Sequence, residues 1–534
     1  MKYTFKPFAH ADTQQLSQLM RHYLSGHEAL RTFYKYTPDL KGLQQALTEM
    51  QWPLELRRSL SAAMAAQAAR TTNTSELTLE HITALAQANT YTVTTGHQLC
   101  VFSGPVFFIY KIASVIHVCK QLQALHPDKK FVPVFWMASE DHDLPEANHF
   151  FTTEKKYTWN TAQTGPLGRM STAGLTDLAA ELQHDWQATS YDDWLKALFK
   201  AAYTQHATMA DATRYLVNAL FGNEGVVVFD GDDVQLKQLL KPVMQKDLLE
   251  QVPYKAVAAS VKELEQAGYS AQVQPRPTNF FLLTAQQRIR IDAEGEAFVL
   301  QDGSARFSRT EMADLIEHHP EQLSPNVVLR PVYQQLVLPN LAYIGGPGEL
   351  AYWLEFKAMF ETLRVHFPVL VPRAFMTVVP ERLEARMNKM HLTLAEGFKQ
   401  PAAVLLQLQK QAGTHIALSN EMADGKTMFE RLKVLAAGTD PTLVAHIEAR
   451  EVHLTKTLQA IENKLNTAIR RKMETEQNWL QQMHACYLPE ETPQERHLNF
   501  SVFVREYGPK WIPTIIENAN PLENAHVFVV VGNG

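Results

Sequence analysis

The chain has 534 residues, 46% of them hydrophobic and 20% charged, with 50 basic and 56 acidic side chains for a formal net charge of −6. That length exceeds a single compact core and predicts two to four domains of an ordinary globular kind. No basic tract marks nucleic acid as a main partner, and three cysteines (Cys100, Cys119, Cys486) form neither a disulfide framework nor a CxxC pair for structural zinc. The segment Met1-Lys2-Tyr3-Thr4-Phe5-Lys6 lacks the apolar run of a signal peptide. The most apolar window, Val101 to Cys119, is broken by Gly104-Pro105 and Lys111 and is short for a bilayer. The expected setting is cytoplasmic and reducing, without a membrane partner.

Residues 1–90 read as helices: Leu16, Leu19, Met20 and Tyr23 recur at helical spacing, and 39–50, 54–69 and 78–88 follow the same period, the last with Thr78 as N-cap. Residues 91–150 read as one βαβ unit. A strand Tyr91–Thr94 leads into a polar loop, Thr95-Gly96-His97-Gln98. Pro105 opens a helix whose inner face is Phe108, Ile112, Val115, Ile116, Cys119 and Leu122, with Lys111, Ser114, Lys120 and Gln121 mainly outside it. A second strand, Phe131–Met137, ends in Ser139-Glu140-Asp141-His142-Asp143, with Asn148-His149 close behind. Polar residues after the carboxyl ends of both strands occupy the edge where open α/β sheets bind ligands.

Residues 151–220 read as an inserted connecting segment, loop-rich and then helical around Trp186, Trp194, Leu195, Leu198 and Phe199. Gly225–Asp230 is a buried strand, 233–267 is helical, and 279–307 is a small antiparallel meander turning at Glu294-Gly295 and Asp302-Gly303. The block 327–357 carries Arg330-Pro331, Gln334 and Ala342-Tyr343-Ile344 into Gly345-Gly346-Pro347-Gly348-Glu349, then a helix; Pro368–Arg373 is another strand. Alternating strands and helices predict a mainly parallel sheet over 91–150 and 221–385. Residues 386–485 are helical, with a coiled-coil seam at Leu454, Leu458, Ile461, Leu465 and Ala468 that serves an intramolecular hairpin or a homodimer. Residues 486–534 return to the core, with a strand at Val527–Val531.

Three nucleotide signatures can be weighed. Gly425-Lys426-Thr427 lacks the first glycine and the preceding strand of a Walker loop. Gly346-Pro347-Gly348-Glu349-Leu350-Ala351 fits G-x-G-x-x-A between strand and helix, but Pro347 removes a donor and Glu349 repels a pyrophosphate, so a glycine turn in a site wall is preferred. Thr95–Gln98 is similar to the HIGH-type loop of class I synthetases, where backbone donors and a histidine stabilise charge on a phosphate. Glu140–Asp143 with His149 can hold either a metal or a substrate amine, with His142 as acid or base.

Together these blocks resemble the bacillithiol biosynthesis cysteine-adding enzyme family, BshC. The resemblance rests on Thr95–Gln98 with Ser103-Gly104-Pro105 and Tyr110-Lys111, on Pro133–Trp136 with Glu140–Asp143 and Asn148-His149, on Arg330-Pro331 through Gln335, Leu338-Pro339 and Ala342-Tyr343 to Gly348-Glu349, and on Pro493–Arg496. It implies a Rossmann-like core with inserted connecting segments and a helical coiled-coil domain supporting a homodimer. It also implies ATP-dependent joining of the cysteine carboxylate to the amine of glucosaminyl-malate, with magnesium as the nucleotide's counter-ion and no tightly bound metal. Asp141, His142 and His97 are then the expected catalytic residues. Gly96, Gln98, Gly104, Lys111, Glu140, Asp143, Asn148, His149, Arg330, Gln334, Tyr343, Gly345, Gly346, Glu349 and Arg373 are expected to bind substrate or nucleotide. The alternatives are a metal-dependent hydrolase or transferase centred on Asp141, His142 and His149, and a non-catalytic coiled-coil assembly protein.

Overall fold

Five parallel strands organise the larger of two structural units. In the computed structural model, which describes residues 1–284 and 286–532, the chain divides into Phe5–Thr377 with Glu495–Val527, and Met1–Thr4 with Val378–Gln494 and the segment from Phe528 on. The parallel sheet has the order Val369–Pro372, Asn340–Gly345, Thr90–His97, Lys130–Met137, Val227–Asp230. Its strands are buried almost throughout because both faces are covered. The threonine-rich Thr90–His97 meets its polar needs internally, the Thr92 and Thr94 hydroxyls donating to Asn340 Oδ1. Phe131, Val369 and Val371 point into one core cluster, while Val132, Val134, Trp136 and Leu370 point into the other. Helix Phe107–Leu125 connects the first two strands and packs against both.

An antiparallel sheet formed by Phe280–Leu283, Arg288–Glu294, Ala297–Leu300, Arg306–Ser308 and Leu323–Pro325 supplies the predicted meander and one further strand. The smaller unit is helical. Its two longest helices, Ser419–Thr439 and Leu443–Lys472, pack on each other as a hairpin, tied by a Lys433–Glu451 ion pair of 2.7 Å. Gly425 makes room for that contact, since a Cβ there would lie 2.9 Å from Leu454 Cδ2.

Several sequence expectations are corrected. Residues 1–90 are not all helical: Lys2–Ala9 is a strand in a three-stranded sheet, next to Ala525–Gly532, which in turn pairs with Phe375–Pro380. The helix expected from Thr78 starts at Glu76, because Ser75 rather than Thr78 caps it by accepting the Thr78 N–H. The first parallel strand does not stop at Thr94. It runs to His97, since Thr95, Gly96 and His97 pair with Phe135, Trp136 and Met137. The next helix begins at Phe107, two residues beyond Pro105, and it is buried nearly all round. Lys111 and Ser114 therefore lie inside: Ser114 Oγ accepts the Ala374 N–H at 2.9 Å. In the coiled coil, Leu454 and Leu458 are half-buried but Ile461, Leu465 and Ala468 are exposed. The inward positions continue in steps of four to Glu462 and Asn466, which bond the backbone of Leu418 and Ile416.

Four imidazoles, His10 and His526 buried and His97 and His366 half-buried, are held neutral by desolvation, each with its pKa lowered from 6.5 to about 4. Below pH 6.5 the unfolded chain takes up protons that the folded chain refuses, so stability present above pH 6.5 drains away toward pH 4. For His526, fully buried, the loss reaches on the order of 3 kcal/mol. Thermal melts from pH 7 to pH 4 are expected to show a falling midpoint, and His526→Gln to flatten that fall.

Candidate active site

The chain lays down Thr90–His97, builds outward through Lys130–Met137 and Val227–Asp230, then crosses back to place Asn340–Gly345 on the other side of the first strand. The strand order reverses between Thr90–His97 and Asn340–Gly345, and the carboxyl ends of the strands splay apart there. A cavity of about 450 Å³ opens at this point. It is lined by Gly96, His97, Gln98, Glu140, Asp141, Arg330, Tyr343 and Glu349 from the residues predicted above, and by Trp136, Arg276, Phe281, Arg288, Arg290, Asn326 and Tyr352 among others. That volume lies in the range of small-molecule sites.

Beneath it lies a buried ammonium. Lys111, on the connecting helix, donates to the Gly96 carbonyl at 2.7 Å and pairs with Glu349 Oε2 at 2.6 Å. Glu349 also accepts the Gly346 N–H at 2.7 Å and the Tyr343 hydroxyl at 3.1 Å. Burial works to raise the Glu349 carboxyl, but Lys111 and the Gly346 N–H outweigh it and hold the group ionised, below its ordinary pKa. Arg330 stacks over Trp136 and Tyr343, with ring centroids at 5.8 and 5.5 Å, and its Nη1 donates to Gln334 Oε1. A Cβ on Gly96 would meet the Tyr343 hydroxyl and Arg330 only at ordinary contact distance, 3.6 and 3.7 Å. The glycine thus keeps open space rather than relieving strain.

The acidic wall comes from the end of Lys130–Met137. Gln98 Nε2 donates to Asp141 Oδ2 and to Glu146 Oε2, both at 2.8 Å, so the Asp141 carboxylate is aimed by a neutral amide. Glu140 pairs with the buried Lys237 at 2.5 Å, and Lys237 reaches Asp232, itself paired with Arg169. His97 packs on Phe107 and Phe108, with Nδ1 2.8 Å from the Gln98 carbonyl. Because burial, then Lys111, keeps this imidazole neutral, Nδ1 carries the proton donated to Gln98 and Nε2 is left as an acceptor.

The arginine wall was missed in the sequence. Arg288 and Arg290 stand two apart on one strand of the meander, so they share a face. That alternation, with Arg276 upstream, was the available signal. Arg288 lies over Phe281 at 4.0 Å, donates to Ser324 Oγ and the Pro325 carbonyl, and comes to 4.0 Å from Asp141. Among the described residues, no carboxylate lies within ion-pair distance of Arg276 or Arg330.

The other predicted site residues are placed elsewhere. His142 lines an adjoining groove on the far side of Arg288, its Nδ1 3.2 Å from that guanidinium and 3.8 Å from Asp141 Oδ1. Burial, then Arg288, lowers its pKa, so it is a neutral imidazole. Asp143 caps the short helix Leu144–Ala147, the Asn148 carbonyl accepts the Trp159 N–H, and His149 faces Asn148 and Phe151. Gly104 takes a left-handed turn whose carbonyl accepts Asn499 Nδ2. Gln334 is buried behind Arg330; Gly345 closes against Leu350, and Gly346 feeds Glu349. Arg373 forms a buried ion pair with Glu495. Among the described residues, no three His, Cys, Asp or Glu side chains converge as metal ligands, and Asp141, His142 and His149 do not form such a centre. Cys100 and Cys119 are buried, and burial pushes the Cys100 thiol up to about 12, so neither has the environment of a reactive thiolate.

A parallel sheet in this order, with a polar cavity at its reversal and a helical coiled-coil unit, defines a Rossmann-like α/β protein with a coiled-coil extension. Residues 7–374 match the family described as bacillithiol biosynthesis BshC, N-terminal Rossmann-like domain, and residues 376–531 match its C-terminal coiled-coil domain. A protein of Flavobacterium johnsoniae named "Putative cysteine ligase BshC" is 36% identical over 95% of this chain and 96% of its own length. Proteins of the same name from Cytophaga hutchinsonii (38% identical, 86% of each chain) and Bacillus cereus (25% identical, 94% of this chain and 96% of the relative) are also similar. The chain belongs to the BshC family of bacillithiol biosynthesis, whose members are named as ligases. No helix among the described residues is long and apolar enough to cross a membrane.

The Lys111–Glu349 pair yields a stability prediction. Lys111→Met strands a carboxylate beneath the cavity and is expected to cost about 3 kcal/mol, read as a lower urea midpoint. Lys111→Met with Glu349→Gln removes both charges and is expected to recover more than half of that loss.

Proposed function

We propose that the protein is an ATP-dependent ligase that joins the carboxylate of cysteine to the amine of glucosaminyl-malate, giving bacillithiol. The observation that carries this reading is the presence of both charges in one cavity: the guanidinium groups of Arg276, Arg288 and Arg330, with Arg290 paired to Asp292, and the carboxylates of Glu140 and Asp141, the latter 4.0 Å from Arg288. Glucosaminyl-malate carries both complementary charges. Its malate carboxylates suit the planar, multidentate donors of arginine, and its amine suits an oriented carboxylate. The family membership of the chain supports the same reading.

A free carboxylate does not acylate an amine, so ATP, accompanied by magnesium, first activates the cysteine carboxylate. The product is an acyl-adenylate with release of pyrophosphate or an acyl-phosphate with release of ADP, and the amine then displaces AMP or phosphate. Gly96, His97 and Gln98 line the region of the reacting carboxylate, Nε2 of neutral His97 serving as an acceptor. Asp141, held by Gln98, receives the substrate ammonium. His142 Nδ1 accepts from Arg288 at 3.2 Å and its ring faces the adjoining groove, so the proton lost by the attacking amine passes to Asp141. Tyr343, Glu349 and Arg330 close the opposite wall.

Purified protein given cysteine, glucosaminyl-malate and ATP is expected to form bacillithiol by mass spectrometry, and to form none when ATP is omitted. Asp141→Asn is expected to lower kcat/KM by about a hundredfold. Folded wild-type protein giving no product above background would sink the proposal. The exposed Ile461 and Leu465, with Val434 and Leu435, support self-association of the chain as a homodimer through the helical unit. Sedimentation velocity is expected to give a dimer that dissociates on Ile461→Glu with Leu465→Glu; a monomeric wild type would contradict it.

A further inference from the structure

Asp247 is fully buried among Met244, Leu248 and the surrounding core, in the widened π-helical turn Gln245–Leu249. Among the described residues no cation lies within ion-pair distance of it. A buried carboxylate without a counter-ion is costly, and an apolar side chain would fill the same space without that cost. Its acceptors are committed to one residue: Oδ2 takes the Asn279 backbone N–H at 2.7 Å and Oδ1 takes Asn279 Nδ2 at 2.8 Å.

That second bond, with a longer one from Nδ2 to the Arg276 carbonyl at 3.3 Å, decides which way the Asn279 amide faces. With Nδ2 turned to Asp247, Asn279 Oδ1 accepts Asn326 Nδ2 at 2.9 Å. Asn326 is then oriented in turn, its Oδ1 accepting the Val328 and Leu329 N–H groups at 2.8 and 3.3 Å. The Asn279 carbonyl takes the Asn326 N–H, and the Asn326 carbonyl takes the Arg330 N–H, each at 2.9 Å. Asn326 and Arg330 both line the cavity, and Asn279 immediately precedes the strand that carries Phe281, on which Arg288 rests.

We infer that Asp247 is a positioning residue for the substrate cavity, fixing through Asn279 and Asn326 the turn that delivers Arg330 and the start of the strand beneath Arg288. Only an acceptor with two free oxygens satisfies both Asn279 donors and sets the polarity of the whole relay. Burial, against the two Asn279 bonds, raises the Asp247 pKa to about 7, which fits a carboxylate with no cation beside it. The inference rests on the reading that this cavity binds glucosaminyl-malate.

The test compares Asp247→Asn, Asp247→Ala and the double variant D247N/N279D with the wild-type full chain. An amide at position 247 meets Asn279 Nδ2 with a donor and reverses the relay. A carboxylate at position 279 accepts from that amide and restores the acceptor for Asn326 Nδ2, giving up only the longer bond to the Arg276 carbonyl. In D247N the KM for glucosaminyl-malate is expected to rise roughly tenfold with kcat within about twofold, and in the double variant to return to within about threefold of wild type. Calorimetric titration with L-malate is expected to follow the same order. A folded D247N with a lower melting temperature but unchanged KM, or a folded double variant that does not recover, overturns the inference; if D247N fails to fold, the double variant against D247A decides it by the same readouts. Wild-type protein that binds L-malate yet forms no product sinks the ligase reading alone and leaves the titrations to decide this one. Wild-type protein that does neither overturns both.

Discussion

The ammonium of Lys111 sits where three pieces of chain must agree. It donates to the Gly96 carbonyl near the end of strand Thr90–His97, and it neutralises Glu349, which caps the helix following strand Asn340–Gly345 and takes the Tyr343 hydroxyl. Two buried charges repay their desolvation only when their remaining hydrogen-bonding capacity is met, and here backbone and tyrosine groups meet it. What the pair contributes is registration. Helix Phe107–Leu125 and helix Pro347–Trp353 belong to crossovers on opposite sides of the reversal point, and a shift of either breaks the same contact.

With that point pinned, the chemistry can be distributed over rigid elements. The acidic residues follow the carboxyl end of Lys130–Met137, Arg330 opens a helix, and Arg288 and Arg290 ride on a paired strand. The floor of the cavity belongs to the sheet, whereas much of its cationic wall belongs to the meander folded over the sheet edge. This division lets a common sheet be given a particular charge pattern by an inserted segment, in keeping with function residing in sites grafted on folds.

The parallel strands were legible because burial on both faces leaves uninterrupted apolar runs, as in Phe131–Met137 and Val227–Phe229. Glu140 and Asp141, just past the first of those runs, were legible for the same reason, whereas Gly96 and Gln98 follow a threonine-rich strand and were legible only as a glycine-bearing polar stretch. Lys111 was read as facing outward because a helical stripe reveals polarity but not the strand-end carbonyl waiting beneath it. The arginine wall was invisible because its placement depends on how the meander folds back, a contact between residues far apart in sequence. His142 shows the limit of adjacency. One residue beyond Asp141, it faces a separate groove across Arg288. The strand Lys2–Ala9 alternates only briefly and contains Pro7, and its neighbour in the sheet lies at the far end of the chain.

That last pairing has a consequence for biosynthesis. The ribosome releases Lys2–Ala9 long before Ala525–Gly532, yet in the sheet these strands are neighbours. The five parallel strands, all made before residue 373, can assemble while the helical segment is still being translated. Lys2–Ala9 waits for its neighbour until Ala525–Gly532 has been made. Closing so long a loop adds little entropy per added residue but defers the reward to the end. The three-stranded sheet therefore ties distant stretches of synthesis together: a chain that stops before Ala525 leaves Lys2–Ala9 without its neighbour.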